Sequence, residues 1–272
     1  MSDDDKDDDA PRPRGLSVLA WGLGLYGACR VLQIFLEAQA TAAAVGQAVL
    51  VEWGTSRLGV VWTPHDRKAS LPDGVRRGMF GALAGFAIAG VLLGVLVVSG
   101  GAKLEAVSSA SVSVLVIGLV TAGLYAWRDE LLFHGVTLRA LGMFEPGDRA
   151  SAQDLFRVVA CGVTSAGAAL GRSDASARSV VVAALLGVAF GALWTRDRGA
   201  WMPWGAHMAF RFATDTLVAG GVVQVRLASS AWAGGDSGLF GGTAAAVALV
   251  PVATVAIALT MRGISPDPAR VG

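Results

Sequence analysis

Apolar residues run along this chain in unbroken blocks separated by short charged stretches. Blocks bounded by charge fall at 15–36, 38–54, 78–99, 107–127, 155–171, 179–194, 200–220 and 240–261. A helix needs about 20 apolar residues to cross the hydrocarbon layer, and about 17 suffice when it stands upright. The second and sixth blocks sit at that lower limit, and the second also carries Gln39, Gln47 and Glu52. In lipid every backbone N–H and C=O must be paired within the spanning structure, which leaves helices and closed barrels. Continuous apolar runs are not the ten-residue alternation of a barrel strand. The pattern predicts an all-α fold, a polytopic transmembrane helix bundle of about eight spans.

Composition agrees with that reading. Only 16% of the residues are charged, against about 25% in a soluble domain. The net charge of +1 gives no basic footprint for nucleic acid, so the expected partner on these grounds is the lipid bilayer. Residues 1–14 are acidic and proline-containing and read as a disordered tail, the opposite of the basic start of a signal peptide. Lys and Arg set the orientation. With the amino terminus cytoplasmic and eight spans, sixteen of the 22 basic residues lie on the cytoplasmic side and four outside, with Arg30 and Arg211 inside spans. Trp53, Trp62, Trp127, Trp194, Trp201 and Trp204 fall near the same boundary, where amphipathic rings prefer to sit. Richness in Ala, Gly, Val and Arg suggests a GC-rich bacterium, and with helical spans the expected location is a bacterial inner membrane. Cys29 and Cys161 lie in apolar stretches and read as small core residues. Gly81/Gly85, Gly90/Gly94 and Gly187/Gly191 are spaced to let helices approach closely.

An ionisable residue inside a span is costly unless paired, so it is a candidate for function. Two clusters qualify. In Trp127-Arg128-Asp129-Glu130-Leu131-Leu132-Phe133-His134-Gly135, Glu130 and His134 stand four apart on one helix face and can pair, while Asp129 points about 100° away. The plain alternative is an interfacial charge cluster that ends the fourth span. In Trp201 to Asp215, His207, Arg211 and Asp215 are four apart and make one polar stripe. Arg211 and Asp215 are expected to form a buried pair, and His207 to lie at the depth of Asp129 and Glu130. Two acids and an imidazole at one depth suit water activation, with the imidazole donating to an oxyanion. Glu130, His134 and His207 could also make three metal ligands, but there is no compact ligand motif, so neither a metal nor a cofactor is expected.

The first cluster resembles the E-E-x-x-x-R motif of the CPBP family, the glutamic-type intramembrane endopeptidases that include CAAX prenyl proteases and bacteriocin-processing proteins. Leu193 to His207 is similar to the turn by which that family enters its H-x-x-x-N helix. Trp232 to Gly242 resembles a Gly-rich segment of one bacterial branch. Order and spacing agree from about 107 to 261. The resemblance implies that the first acidic position activates water; here it is Asp129, one methylene shorter than glutamate. Glu130 and His134 take the places of the second acid and the arginine. The F-x-x-x-H motif falls on Ser165 and Ala169, with no histidine between 135 and 206. His207 is kept, and Arg211 replaces the asparagine.

The resulting division is a tail at 1–14, transmembrane helices over 15–106, a CPBP-like intramembrane protease core over 107–261, and a tail at 262–272. The implied catalytic set is Asp129, Glu130, His134, His207 and Arg211. Three functions fit this sequence. One is an intramembrane endopeptidase acting on transmembrane or lipid-anchored protein tails through a rearranged site. Another is a pseudoprotease that binds such a tail without cutting it. The third is a transporter or channel component with the Arg211–Asp215 pair on its path.

Overall fold

The computed structural model describes residues 15–63, 70–144, 152–172, 175–235 and 238–262. The expected tail 1–14 lies outside the described residues, as does the expected tail 262–272 apart from Arg262, which ends the last helix. The chain forms α1 (Leu16–Phe35), α2 (Ala40–Arg57), α3 (Leu71–Val98), β1 (Ala102–Val107), α4 (Val112–Asp129), α5 (Val136–Ala140), α6 (Gln153–Leu170), α7 (Ala177–Asp197), α8 (Trp201–Arg211), β2 (Val223–Leu227) and α9 (Thr243–Arg262). A π-helical turn, Glu130–Gly135, joins α4 to α5 without a break, and a second, Phe212–Val218, extends α8. Among the described residues, eight helical rods therefore stand where eight apolar blocks were read. Five of them, α1, α3, the continuous rod Val112–Ala140, α7 and α9, are long and apolar enough to cross a membrane. The protein is an integral membrane protein by this measure. The others fall short: α2 is Ala-rich and carries Gln47, Glu52 and Arg57, α6 carries Gln153, Asp154 and Arg157, and α8 is only 11 residues long and carries Arg211.

Two element boundaries differ from the apolar blocks. The third helix begins at Leu71, where the Ser70 hydroxyl accepts from the Asp73 N–H and Pro72 occupies the first turn. The fourth begins at Val112 because 102–107 pairs with β2 as an antiparallel ribbon, Ala102 opposite Leu227 and Val107 opposite Val223. Alternation in Val-Gln-Val-Arg-Leu was the available signal for this ribbon.

Lipid and apolar side chains attract one another about equally, so helices in a membrane associate through close packing and polar contacts. Glycine supplies the close packing here. A Cβ on Gly81 or Gly85 of α3 would stand 1.9 and 2.0 Å from the carbonyls of Met202 and Ala206 in α8, and one on Gly205 would meet the Gly78 carbonyl at 2.0 Å. Gly187 and Gly191 of α7 sit close on α6 too, a Cβ at Gly187 meeting Ser165 Oγ at 2.4 Å and one at Gly191 meeting Cys161 Cβ at 2.7 Å. Gly90 and Gly94 do not follow the pattern, since nothing lies within 4 Å of either. Leu92, Leu96, Phe190, Phe210 and Leu249 fill the core between α3, α7, α8 and α9. Leu16, Phe35, Leu83 and Val98 project outward at 67–89% exposure, as lipid-facing side chains do.

One end of the bundle is tied by buried charge. Arg77 donates from Nε and NH2 to the two Asp197 oxygens at 2.7 and 2.6 Å, and Asp197 also accepts from the Met202 N–H at 3.1 Å, capping α8. Arg198 follows with φ 57°, the left-handed turn from α7 into α8. Trp62, Trp127, Trp201 and Trp204 stack nearby with centroids 4.7–6.1 Å apart. Trp62 and Trp127 both donate to Glu52 Oε2, which explains how an acid is carried on α2.

Candidate active site

The rod Val112–Ala140 does not stop at its charged cluster. It winds through it as a π-helical turn, an irregularity that often marks functional sites. The carbonyl of Phe133 in this turn accepts from Thr137 Oγ1 at 2.6 Å and from Thr164 Oγ1 of α6 at 3.1 Å, which anchors the turn to α6. The interfacial-cluster reading is thereby corrected: Glu130 is fully buried, in the middle of a helix rather than at the end of one.

Three N–H donors converge on Glu130. His134 Nδ1 lies 2.8 Å from Oε2, Trp194 Nε1 donates to Oε2 at 2.6 Å, and His207 Nδ1 lies 2.7 Å from Oε1. A carboxylate only accepts, so each imidazole carries its proton on Nδ1 and, when neutral, keeps a lone pair on Nε2. The far nitrogen of His134 meets Ser165 Oγ at 3.0 Å. Phe190 stacks on the His207 ring at 4.7 Å and 17°, fixing its plane. His134 and Glu130, read as a face-sharing pair, are such a pair, and His207 joins them from α8.

Asp129 has a different setting. Arg128 donates from Nε to Oδ1 at 2.6 Å, and Arg211 donates from NH1 to Oδ2 at 2.8 Å. Arg211 also reaches Asp215 Oδ2 at 3.2 Å, lies 5.0 Å from the Tyr125 ring centre, and is a quarter exposed. Arg128 in turn bonds Gln47 Oε1, and Gln47 Nε2 donates to Gln33. The expected buried Arg211–Asp215 pair is therefore corrected. Asp215 is half exposed, and Arg211 is shared with Asp129 at the shorter distance, because the second π-helical turn carries Asp215 toward open space.

These groups border one cavity of about 780 Å³. Asp129, His134, His207 and Arg211 line it together with Ser165 and Ala169, while Glu130 lies behind the imidazoles. The Gly-rich segment contributes Gly238 to Gly241 to its wall. Sequence reasoning missed Trp194, taken for an interfacial ring, and Phe190, since neither bears a signal beyond being aromatic. Ser165 was placed in α6 by alignment, without a role. Among the described residues no set of three or more His, Cys, Asp or Glu side chains converges on a metal position.

The candidate site is thus a buried acid gripping two imidazoles beside a cavity in a helical membrane bundle. Residues 109–213, a stretch that holds all five candidate residues, match the family model described as type II CAAX prenyl endopeptidase, Rce1-like. The match lies within the 107–261 stretch of the resemblance and stops before the Gly-rich segment. No curated protein and no solved structure matches the chain.

Proposed function

We propose that the protein is an intramembrane endopeptidase that admits transmembrane or lipid-anchored protein tails to the 780 Å³ cavity and hydrolyses them with imidazole chemistry. The observation that supports this best is the bridge of Glu130 between His134 and His207 at 2.8 and 2.7 Å. It orients two imidazoles whose remaining nitrogens are free to accept a proton from a reacting group. On this reading Glu130 holds the imidazoles, His134 or His207 moves the proton, and Asp129 with Arg211 forms the charged wall of the cavity. The test is the purified protein in lipid vesicles with prenylated and transmembrane tail peptides. Wild type should cleave them, and Glu130→Gln should lower the rate by about 10²–10⁴-fold. Tails bound but uncut by wild type would overturn this in favour of a pseudoprotease. That second reading draws on Asp129 being clamped by two guanidiniums and on Ala169 standing where the family pattern has histidine.

We also propose a bacterial inner membrane as the location, with the amino terminus, the 55–77 segment and the carboxyl terminus cytoplasmic. The basic asymmetry supports this, as do the contacts of Arg77 with Asp197, Arg139 with Leu58 and Arg198 with Asp154, which gather basic residues at one end. Single cysteines at 63–75 should resist labelling by an impermeant maleimide on intact cells. Labelling there would reverse the orientation.

A further inference from the structure

Ser165, on α6, stands in the relation to His134 and Glu130 that a nucleophilic serine has to its base and the base's carboxylate. We infer that Ser165 is the nucleophile of this site and that hydrolysis proceeds through an acyl-serine on Ser165. The inference rests on the hydrolase reading above and replaces activated water by Ser165 Oγ in the first step.

Geometry carries the argument. Glu130 Oε2 holds the proton of His134 on Nδ1 at 2.8 Å, so Nε2 presents a lone pair, and the atom it meets at 3.0 Å is Ser165 Oγ. The hydroxyl is thus the donor and the imidazole the acceptor, the polarity that general-base activation of an alcohol requires. A serine or threonine inside a helix normally returns its hydroxyl to a carbonyl of the preceding turn. Thr164 does so, bonding the carbonyls of Ala160 and Cys161. Ser165, one residue on, has His134 as its hydrogen-bond partner instead. The facing helix leaves room for this: a Cβ on Gly187 would lie 2.4 Å from Ser165 Oγ. Ser165 is partly exposed and lines the cavity, whereas Glu130 behind His134 is fully buried. The exposed member of the chain is therefore the nucleophile and the innermost one the carboxylate.

The substrate class is an amide or ester carbonyl on a membrane-anchored tail. Ser165 Oγ bonds to the carbonyl carbon as its proton passes to His134 Nε2. The tetrahedral adduct collapses, the carbon–nitrogen or carbon–oxygen bond breaks, and His134 gives that proton to the leaving amine or alcohol. Water then attacks the acyl-serine, losing a proton to His134, and His134 returns it to Ser165 Oγ as the carboxylic acid leaves. The sum is one water consumed per bond cleaved, with no redox change. Glu130 touches no reacting atom and is a positioning residue.

The test is a fluorophosphonate probe on the full chain in lipid vesicles, read by peptide mass spectrometry, with tail cleavage measured in parallel. The expected result is a single adduct on Ser165 in wild type and none in Ser165→Ala. His134→Ala should slow labelling by about 10²–10⁴-fold. Glu130→Gln should slow labelling and shift its pH profile, and Glu130→Asp should recover part of the rate, which a merely structural role would not do. Folded wild type without an adduct on Ser165 overturns the inference, and the wild-type adduct needs no variant to fold. Tail cleavage that persists in Ser165→Ala yet vanishes in Glu130→Gln overturns the serine and keeps the endopeptidase. An adduct on Ser165 with no tail cleaved keeps the serine and overturns the endopeptidase. Neither adduct nor cleavage overturns both.

Discussion

Asp129 and Glu130 are adjacent carboxylates on one helix, yet they face opposite kinds of chemistry. Asp129 is gripped by Arg128 and Arg211, whose guanidiniums can only donate hydrogen bonds. Glu130 is gripped by His134 and His207, whose imidazoles can donate from one nitrogen and accept at the other. The roughly 100° between successive helix positions sends the two acids to different neighbours. On the proposed reading, proton transfer belongs to the side of the cavity that holds Glu130, and fixed charge to the side that holds Asp129. The family pattern gives the working role to the first acid, whereas here the partners favour the second.

The largest expected effect tests this directly. Glu130→Gln should lower hydrolysis by about 10²–10⁴-fold, and Asp129→Asn should stay within about tenfold, measured as kcat/KM on one tail peptide. The opposite ranking would restore Asp129 as the base. Next, two of the Asp–Arg groups of the bundle, at Arg77 and at Arg211, should differ in stability. Arg77 and Asp197 are 6% and 2% exposed at the side chain, so Arg77→Ala leaves a buried acid without its guanidinium and should cost about 3–5 kcal/mol in denaturant unfolding. A smaller effect is expected at Gly187→Ala. The added methyl meets Ser165 Oγ at 2.4 Å and the Cys161 carbonyl at 2.7 Å, so overpacking should cost about 1–3 kcal/mol and slow any Ser165 labelling. Wild-type stability and labelling in Gly187→Ala would show that α6 and α7 have slack there. The smallest is Arg211→Ala, about 1 kcal/mol or less, because the group is a quarter exposed, Asp215 is half exposed, and buried Asp129 keeps Arg128 as a partner. A loss near that of Arg77→Ala would mean that the guanidinium side of the cavity is as dry as the imidazole side.

Much of the architecture was legible in linear order. Apolar blocks and their charged boundaries located the eight rods of the described residues, and five of these are as long and apolar as a helix in lipid must be. The residues that meet at the cavity, Asp129, Glu130, His134, His207 and Arg211, were legible as ionisable groups where such groups are costly. The i, i+4 spacing within one helix was enough to pair Glu130 with His134 and to align His207 with Arg211.

What the tertiary structure decided is which of these groups touch, since contact between helices depends on rotation and depth that spacing along one helix does not carry. Close glycine packing of α3 on α8 and the hydrogen bond from Trp204 to the Gly123 carbonyl set the height of His207 against Glu130. The π-helical turn kept a charged segment within the rod rather than ending it, and anchored it to Thr164. Only then did Arg211 reach Asp129, Trp194 turn inward to Glu130, and a serine with no motif of its own arrive 3.0 Å from His134. Sequence determined that charge would be buried in this membrane bundle. Partner choice followed from packing, because a buried polar group is stabilised by whichever complementary atom the neighbouring helix brings within hydrogen-bond reach.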